Sequence, residues 1–143
     1  MVDMQKDFVD GALGSPEARA IVPNVLDKVK AYRDAGMRWY LPWTPILTII
    51  WIQWKGRSFL WSTVSRERRA GELVPELREV PGTRFEKHTF GSRELADYAA
   101  RGQYDFVELA GLCTDICVIS NAMLIKAAVP DTSIQVTGPA VRA

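Results

Sequence analysis

Cysteine and histidine, the residues that build disulfide frameworks and many metal centres, are scarce in this sequence. Among 143 residues there are two cysteines and a single histidine. Cys113 and Cys117 are four residues apart at the predicted start of one helix, a spacing that suits neither a disulfide framework nor a zinc ribbon. We therefore predict a reducing, cytoplasmic setting. No metal site can be assembled from the chain as written.

An excess of charge of one sign and a long apolar run are also missing. The formal net charge is +1 and no basic stripe occurs, so a nucleic-acid partner is not expected. The longest apolar run, from Pro45 to Trp54, is about half the roughly 20 residues that a membrane span needs. Asp3 and Lys6 interrupt any start typical of a signal peptide. With 48% hydrophobic residues, residues 1–143 are expected to form one domain with its own core.

Helical and strand-like segments alternate along the chain. The predicted elements are a helix from Ser15 and Pro16 to Gly36, a short strand through Phe85 ending at Lys87, a helix from Ser92 to Gly102, a strand over 104–110, a helix from Cys117 to about Ala128, and a strand over 133–137. This order predicts an α/β fold, a Rossmann-like three-layer sandwich with a mostly parallel sheet. Ligands of such sheets gather at the carboxyl ends of strands. Asp3, Lys87 and Cys117 each fall at such an end.

The most informative segment is G-L-C-T-D-I-C-V, residues 111–118. A mostly apolar strand leads into a tight turn, and the following helix carries Cys117 in its first turn. The unpaired N–H groups of a helix N-terminus stabilise a thiolate and lower the thiol pKa. The same groups can bind an oxyanion. We therefore predict that Cys117 is a nucleophile; the alternative is an ordinary buried cysteine, the commoner fate of a lone Cys.

Two further motifs accompany the cysteine: D-M-Q-K-D-F, from Asp3 to Phe8, and F-E-K-H-T-F-G-S, from Phe85 to Ser92. In this order and at these separations, the three motifs together resemble the isochorismatase-like cysteine hydrolases, and nicotinamidases most closely. The resemblance covers roughly residues 1–36 and 71–136. It implies a catalytic triad of Asp3, Lys87 and Cys117, in which Asp3 takes the thiol proton and Lys87 holds the ion pair.

The resemblance also implies roles around the triad. The backbone N–H groups of Cys113 and Cys117 would bind the oxyanion, with a cis peptide bond before Cys113. Phe8 matches a position that stacks on the substrate, although a phenylalanine judged alone is usually a core residue. Asp115 and Asn121 are expected to be helix-start and packing residues.

The function implied is that of an amidase that converts a small carboxamide, nicotinamide to nicotinate and ammonia, through a thioester. Two alternatives stay open. One is a relative that acts on another small substrate, including the vinyl ether of isochorismatases. The other is a damaged, non-catalytic remnant whose tryptophan-rich segment binds a partner. A homo-oligomer is left open as well.

Residues 37–70 differ from everything around them. All five tryptophans lie in this stretch, and no acidic residue occurs between Asp34 and Glu67, although the chain holds 17 acids. A shifted reading frame explains both features, because the codon TGG followed by A reads out of frame as an apolar residue and then an acid. The alternatives are a buried aromatic core, a hydrophobic partner surface or a genuine divergent insertion.

The frame-slip hypothesis accounts for a missing metal site. Codons for Trp43 to Ile46 can be reread as an apolar residue followed by Asp-Thr-His, and Asp-x-His is the metal-ligand motif that the resemblance implies here. A divalent metal is thus expected in intact nicotinamidases, but its ligands are absent from this chain, and no cofactor is identifiable. Residues 137–143 are predicted to hide a second slip. The sheet is then expected to be incomplete at both ends, with 37–70 aberrant.

Overall fold

The computed structural model describes residues 1–11, 13–34, 73–80, 83, 85, 87 and 89–142, and the predictions for residues 37–70 therefore lie outside the described residues. The described elements, in chain order, are helices α1 (Lys6–Val9), α2 (Pro16–Ala20) and α3 (Val22–Asp34), a 3₁₀ turn (Pro75–Leu77), helix α4 (Arg93–Gly102), strand β1 (Phe106–Leu112), a π-helical turn (Thr114–Val118), helix α5 (Ile119–Ala128) and strand β2 (Ser133–Arg142).

The helix starts that local sequence predicts are found in the structure. The Ser15 hydroxyl accepts a hydrogen bond from the Ala18 N–H at 3.0 Å, directly before Pro16 at the first helical position. Ser92 caps α4 in the same way, because its hydroxyl accepts from the Leu95 N–H at 3.2 Å. Such caps satisfy N–H groups that have no partner inside the helix. The first predicted helix is divided between α2 and α3.

Strand β1 is the centre of the described sheet. It pairs in parallel with β2, and α5 forms the connection between them. On its other side Val2 forms a parallel bridge to Gly111, with the Val2 N–H donating to the Ala110 carbonyl at 2.7 Å. Parallel pairing through a helical connection confirms the predicted α/β fold. The strands differ in their bounds: β1 begins and ends two residues later than 104–110, and β2 continues past residue 137 to Arg142.

The prediction of a strand through Phe85 to Lys87 is wrong, because the structure assigns neither residue to a strand. Both are nevertheless buried. The Phe85 ring packs edge-on against Tyr98 of α4 with 5.1 Å between ring centroids. Packing against distant residues and side-chain hydrogen bonds hold this segment, instead of the strand pairing that the sequence predicted.

Strand β1 separates two hydrophobic clusters. It contributes Ala110 and Leu112 to the first cluster, which contains residues of α1, α2 and α3. It contributes Val107 and Leu109 to the second, which contains residues of α4 and α5. Alternate residues of a strand point to opposite faces, so helices cover both faces of the sheet.

Helix α3 is also fastened to β1 through Glu108. The Glu108 carboxylate accepts from the Lys28 ammonium at 2.7 Å and from the hydroxyls of Tyr32 and Thr137. The Glu108 side chain is largely buried, and its three donors replace the hydrogen bonds to water that the carboxylate loses on burial. Within the described ranges, no helix has the length and apolar character required to cross a membrane.

Candidate active site

Asp3 lies where the first chain segment passes the end of β1. Its neighbour Val2 accepts a hydrogen bond from the Leu112 N–H at 2.9 Å, which fixes this segment beside the turn that carries the cysteines. Asp3 has a backbone φ of 51°, a left-handed conformation that is uncommon outside glycine. Only 1% of the residue is exposed. The carboxylate is therefore held inside the protein at the carboxyl end of the sheet.

Gly111 makes this close approach feasible. A Cβ added at this position would lie 2.0 Å from the Val2 carbonyl oxygen, and the backbone φ is +124°. Only glycine combines that conformation with that separation at low energy. The glycine that opens the G-x-x-T-D-x-C-V motif thus lets Val2, and with it Asp3, lie against β1.

Lys87 reaches Asp3 from a segment outside the sheet. Its ammonium donates to Asp3 Oδ2 at 3.1 Å and to the Phe90 carbonyl at 2.9 Å. The Lys87 side chain is fully buried. A buried ammonium is costly unless it is paired and hydrogen-bonded, and both conditions are met here.

Cys117 lies in the π-helical turn that follows β1 directly, and it is buried. Both Asp3 and Lys87 interact with its thiol. Asp3 Oδ1 is buried and has no hydrogen-bond partner among the described residues, so this oxygen can accept a proton. The structure therefore brings Asp3, Lys87 and Cys117 together in one buried cluster.

The expectation of a lowered thiol pKa is wrong for this structure. Burial, followed by the Asp3 charge, raises the pKa of the Cys117 thiol to about 12, and the Lys87 charge only partly opposes this. Burial likewise raises the pKa of Asp3 to about 6, with Lys87 again opposing the shift. At neutral pH the cluster thus holds a thiol beside a mostly ionised carboxylate, the arrangement that general-base activation of a nucleophile requires.

The surrounding site residues have different placements. Cys113 is half-buried, its thiol pKa is raised chiefly by burial, and the peptide bond between Leu112 and Cys113 is cis, as expected. Phe8 lies in the first hydrophobic cluster, whereas Cys117 lies in the second. A role for Phe8 in stacking on the substrate stays a prediction.

The described residues do not fit a metal centre. Within the described part of the chain, no group of three or more His, Cys, Asp or Glu side chains is placed to hold a metal ion. The position at which the resemblance implies Asp-x-His lies in residues 37–70, outside the described residues. No chemical step is therefore assigned to a metal.

The sequence predicted a packing role for Asn121, but the residue makes more polar contacts than packing requires. Its side chain is completely buried and hydrogen-bonds to Ser92, Phe90 and Cys117. The sequence did contain a signal that could have identified Asn121. Asn121 is four residues after Cys117, so the two share one helical face, and asparagine is unusual in a helix interior.

Comparison with known proteins places the chain in a family. The family model of the isochorismatase domain matches residues 1–141. Solved structures with the same fold include N-carbamoylsarcosine amidase from Thermoplasma acidophilum, with 25% identity and a TM-score of 0.69 over 99% of this chain and 80% of that chain. No curated protein sequence matches significantly.

Two nicotinamidases are also similar in fold. The Bacillus subtilis enzyme is 22% identical, with a TM-score of 0.72 over 99% of this chain and 83% of that chain. The Staphylococcus aureus enzyme is 18% identical, with a TM-score of 0.70 over 100% of this chain and 82% of that chain. At these identities the likeness extends to the fold and does not identify a substrate.

Proposed function

The chain belongs to the isochorismatase family, and from this premise we propose that it is a cysteine hydrolase of small carboxamides in which Cys117 is the nucleophile. One observation carries the proposal. The Lys87 ammonium lies 3.1 Å from Asp3 Oδ2, both side chains are buried, and both interact with the Cys117 thiol. A buried base, cation and thiol at one point form the constellation that nucleophilic catalysis requires.

The first half of the reaction forms a thioester. Asp3 removes the proton from the Cys117 sulfur as the sulfur attacks the carboxamide carbon, and the backbone N–H groups of Cys113 and Cys117 bind the oxyanion. Lys87 stabilises the negative charge that passes between carboxylate and sulfur. Protonated Asp3 then gives its proton to the leaving nitrogen, and the C–N bond breaks to release ammonia.

The second half regenerates the enzyme. Asp3, again ionised, removes a proton from a water molecule, which attacks the thioester carbon. The carbon–sulfur bond breaks, and the sulfur recovers a proton from Asp3. The products are a carboxylic acid and the free thiol of Cys117, so atoms and charge balance over the cycle.

For the substrate we propose nicotinamide, which would give nicotinate and ammonia. Two considerations support a carboxamide: N-carbamoylsarcosine amidase and the nicotinamidases are similar to this chain in fold, and the Lys87–Cys117 pair favours an amidase over an isochorismatase. The alternatives are another small substrate of the superfamily and a non-catalytic remnant.

Ammonia release from purified protein tests the proposal. Nicotinamide, pyrazinamide and N-carbamoylsarcosine should each be assayed, with and without added divalent metal, beside a Cys117→Ala control. Cysteine-dependent ammonia release from nicotinamide supports the proposal as stated. Ammonia release from another amide but not from nicotinamide supports the amidase activity and replaces nicotinamide as the proposed substrate. A folded protein that releases no ammonia from any amide refutes the proposed function and favours the remnant.

A further inference from the structure

Asn121 has no solvent-exposed surface, and its amide group is fully engaged. Its Oδ1 accepts from the Ser92 N–H at 2.9 Å. Its Nδ2 donates to the Phe90 carbonyl at 3.2 Å and to the Cys117 carbonyl at 2.7 Å. An asparagine amide has two N–H donors and one carbonyl acceptor, so each of these groups has a protein partner.

These partners connect two members of the triad. The Phe90 carbonyl that accepts from Asn121 also accepts from the Lys87 ammonium at 2.9 Å. The Cys117 carbonyl belongs to the nucleophile itself. Lys87 in turn donates to Asp3, and both interact with the thiol. Asn121 therefore closes a ring of polar contacts that passes through Phe90, Lys87 and Cys117.

The segment that carries Lys87 needs such a connection. Neither Phe85 nor Lys87 is in a strand, and Phe90 is 43% exposed, so strand pairing does not fix this loop. The N–H groups of the Asn121 amide supply hydrogen-bond donors to this loop, as a neighbouring strand would if the loop were part of the sheet. Its Oδ1 also holds the N–H of Ser92, the residue that begins α4.

A packing role alone does not explain this residue. A leucine, which has a similar size, would fill the same space without bringing a polar group out of water. Burial of an amide is unfavourable unless its hydrogen bonds are replaced. In this protein the hydrogen bonds of the Asn121 amide are replaced by bonds to the two segments that carry Lys87 and Cys117.

We propose that Asn121 is a positioning residue that fixes the Lys87 ammonium relative to the Cys117 sulfur by holding the Phe90 carbonyl against the nucleophile's own turn. The assignment rests on the proposed function for the use made of the triad. The test of this assignment does not rest on the proposed function, because the experiment measures the reactivity of the Cys117 thiol without any substrate.

The experiment measures the rate at which iodoacetamide alkylates Cys117 as a function of pH, with peptide mass spectrometry to separate Cys117 from Cys113. Asn121→Leu keeps roughly the size of the side chain and adds no charge beside the thiol, but it removes both donors and the acceptor for Ser92. Among the described residues, the charged groups that act on the Cys117 thiol are Asp3 and Lys87. If the loop carrying Lys87 moves away, the thiolate loses its cation, and alkylation at a fixed pH should slow by about tenfold, the effect of one pKa unit.

A double-mutant cycle with Lys87→Met separates positioning from general stability. If Asn121 acts through Lys87, Asn121→Leu should slow alkylation in the otherwise unchanged protein and add nothing in the Lys87→Met background. Thr132→Val is the matched control, because the buried Thr132 hydroxyl donates to the Tyr104 carbonyl at 2.6 Å outside the triad. It should lower the melting temperature and leave the pH profile unchanged.

Asn121→Ser retains one donor and is the gentler change. It should give an intermediate shift of the pH profile. An unchanged pH profile in folded Asn121→Leu or Asn121→Ser, or equal shifts in both Lys87 backgrounds, overturns the inference. The cycle gives its answer even if no amide is hydrolysed. Conversely, ammonia release with unshifted profiles overturns the role of Asn121 and leaves the proposed function intact.

Discussion

Replacing Gly111 with alanine should both destabilise the protein and separate Asp3 from Cys117. The new Cβ would lie 2.0 Å from the Val2 carbonyl oxygen and 2.7 Å from the Val2 nitrogen. These are backbone atoms, so no side-chain rotation relieves the contact. The chain before Asp3 must move away from β1, and its hydrogen bonds to Ala110 and Leu112 are lost.

The magnitude follows from two penalties. A residue other than glycine at a φ of +124° costs roughly 1–3 kcal/mol. Insertion of a methyl group into a tightly packed site costs roughly 1–3 kcal/mol more. The free energy of unfolding should therefore fall by roughly 2–6 kcal/mol, a large part of the roughly 5–15 kcal/mol that stabilises a domain.

Urea unfolding of matched alanine variants measures this difference. Gly138 in β2 is the control, because a Cβ added there meets no atom within 4 Å. Gly138→Ala should change the free energy of unfolding by no more than about 0.5 kcal/mol. Gly111→Ala should also lose nearly all amide turnover at temperatures where it is still folded. Equal stability and equal turnover in the two variants would refute the reasoning about the approach of Val2.

Three further predictions concern the chemistry and the gene. Turnover should fall about tenfold per pH unit below about pH 6, because burial raises the pKa of Asp3 to about 6 and the protonated carboxyl accepts no proton; a rate that is flat down to pH 4 would exclude Asp3 as the base. Cys117→Ala should abolish ammonia release, whereas Cys113→Ala keeps its backbone N–H and should lower the rate far less; the reverse result would identify Cys113 as the nucleophile. The coding nucleotides of Trp43 to Ile46 should permit Asp-Thr-His in another frame, and codons that exclude it would refute the frame slip.

The sequence predicted best those features that depend on neighbouring residues. Ser15 and Ser92 mark helix starts because a cap bonds to an N–H three residues away. The α/β fold followed from the alternation of elements, although β1 begins two residues later than expected. Element ends are set by pairing with Val2 and β2, which local sequence does not record.

Features that depend on distant parts of the chain were not predictable in the same way. Lys87 was assigned to a strand, but hydrogen bonds to Asp3 and Phe90 hold it outside any ladder. The thiol pKa was expected to be lowered by a helix terminus, but burial dominates it, and burial is a property of the packed structure. Two of the three hydrogen bonds of Asn121, those with Ser92 and Phe90, likewise join segments about 30 residues apart.

The most direct test of the central claim is acid-quenched mass spectrometry of the protein during turnover of nicotinamide. If Cys117 is the nucleophile, the peptide that contains it should gain the mass of one acyl group, and the adduct should disappear when hydroxylamine cleaves the thioester. Cys117→Ala should show neither adduct nor ammonia. Sustained ammonia release by the Cys117→Ala variant, or an adduct located on Cys113 alone, would contradict the account.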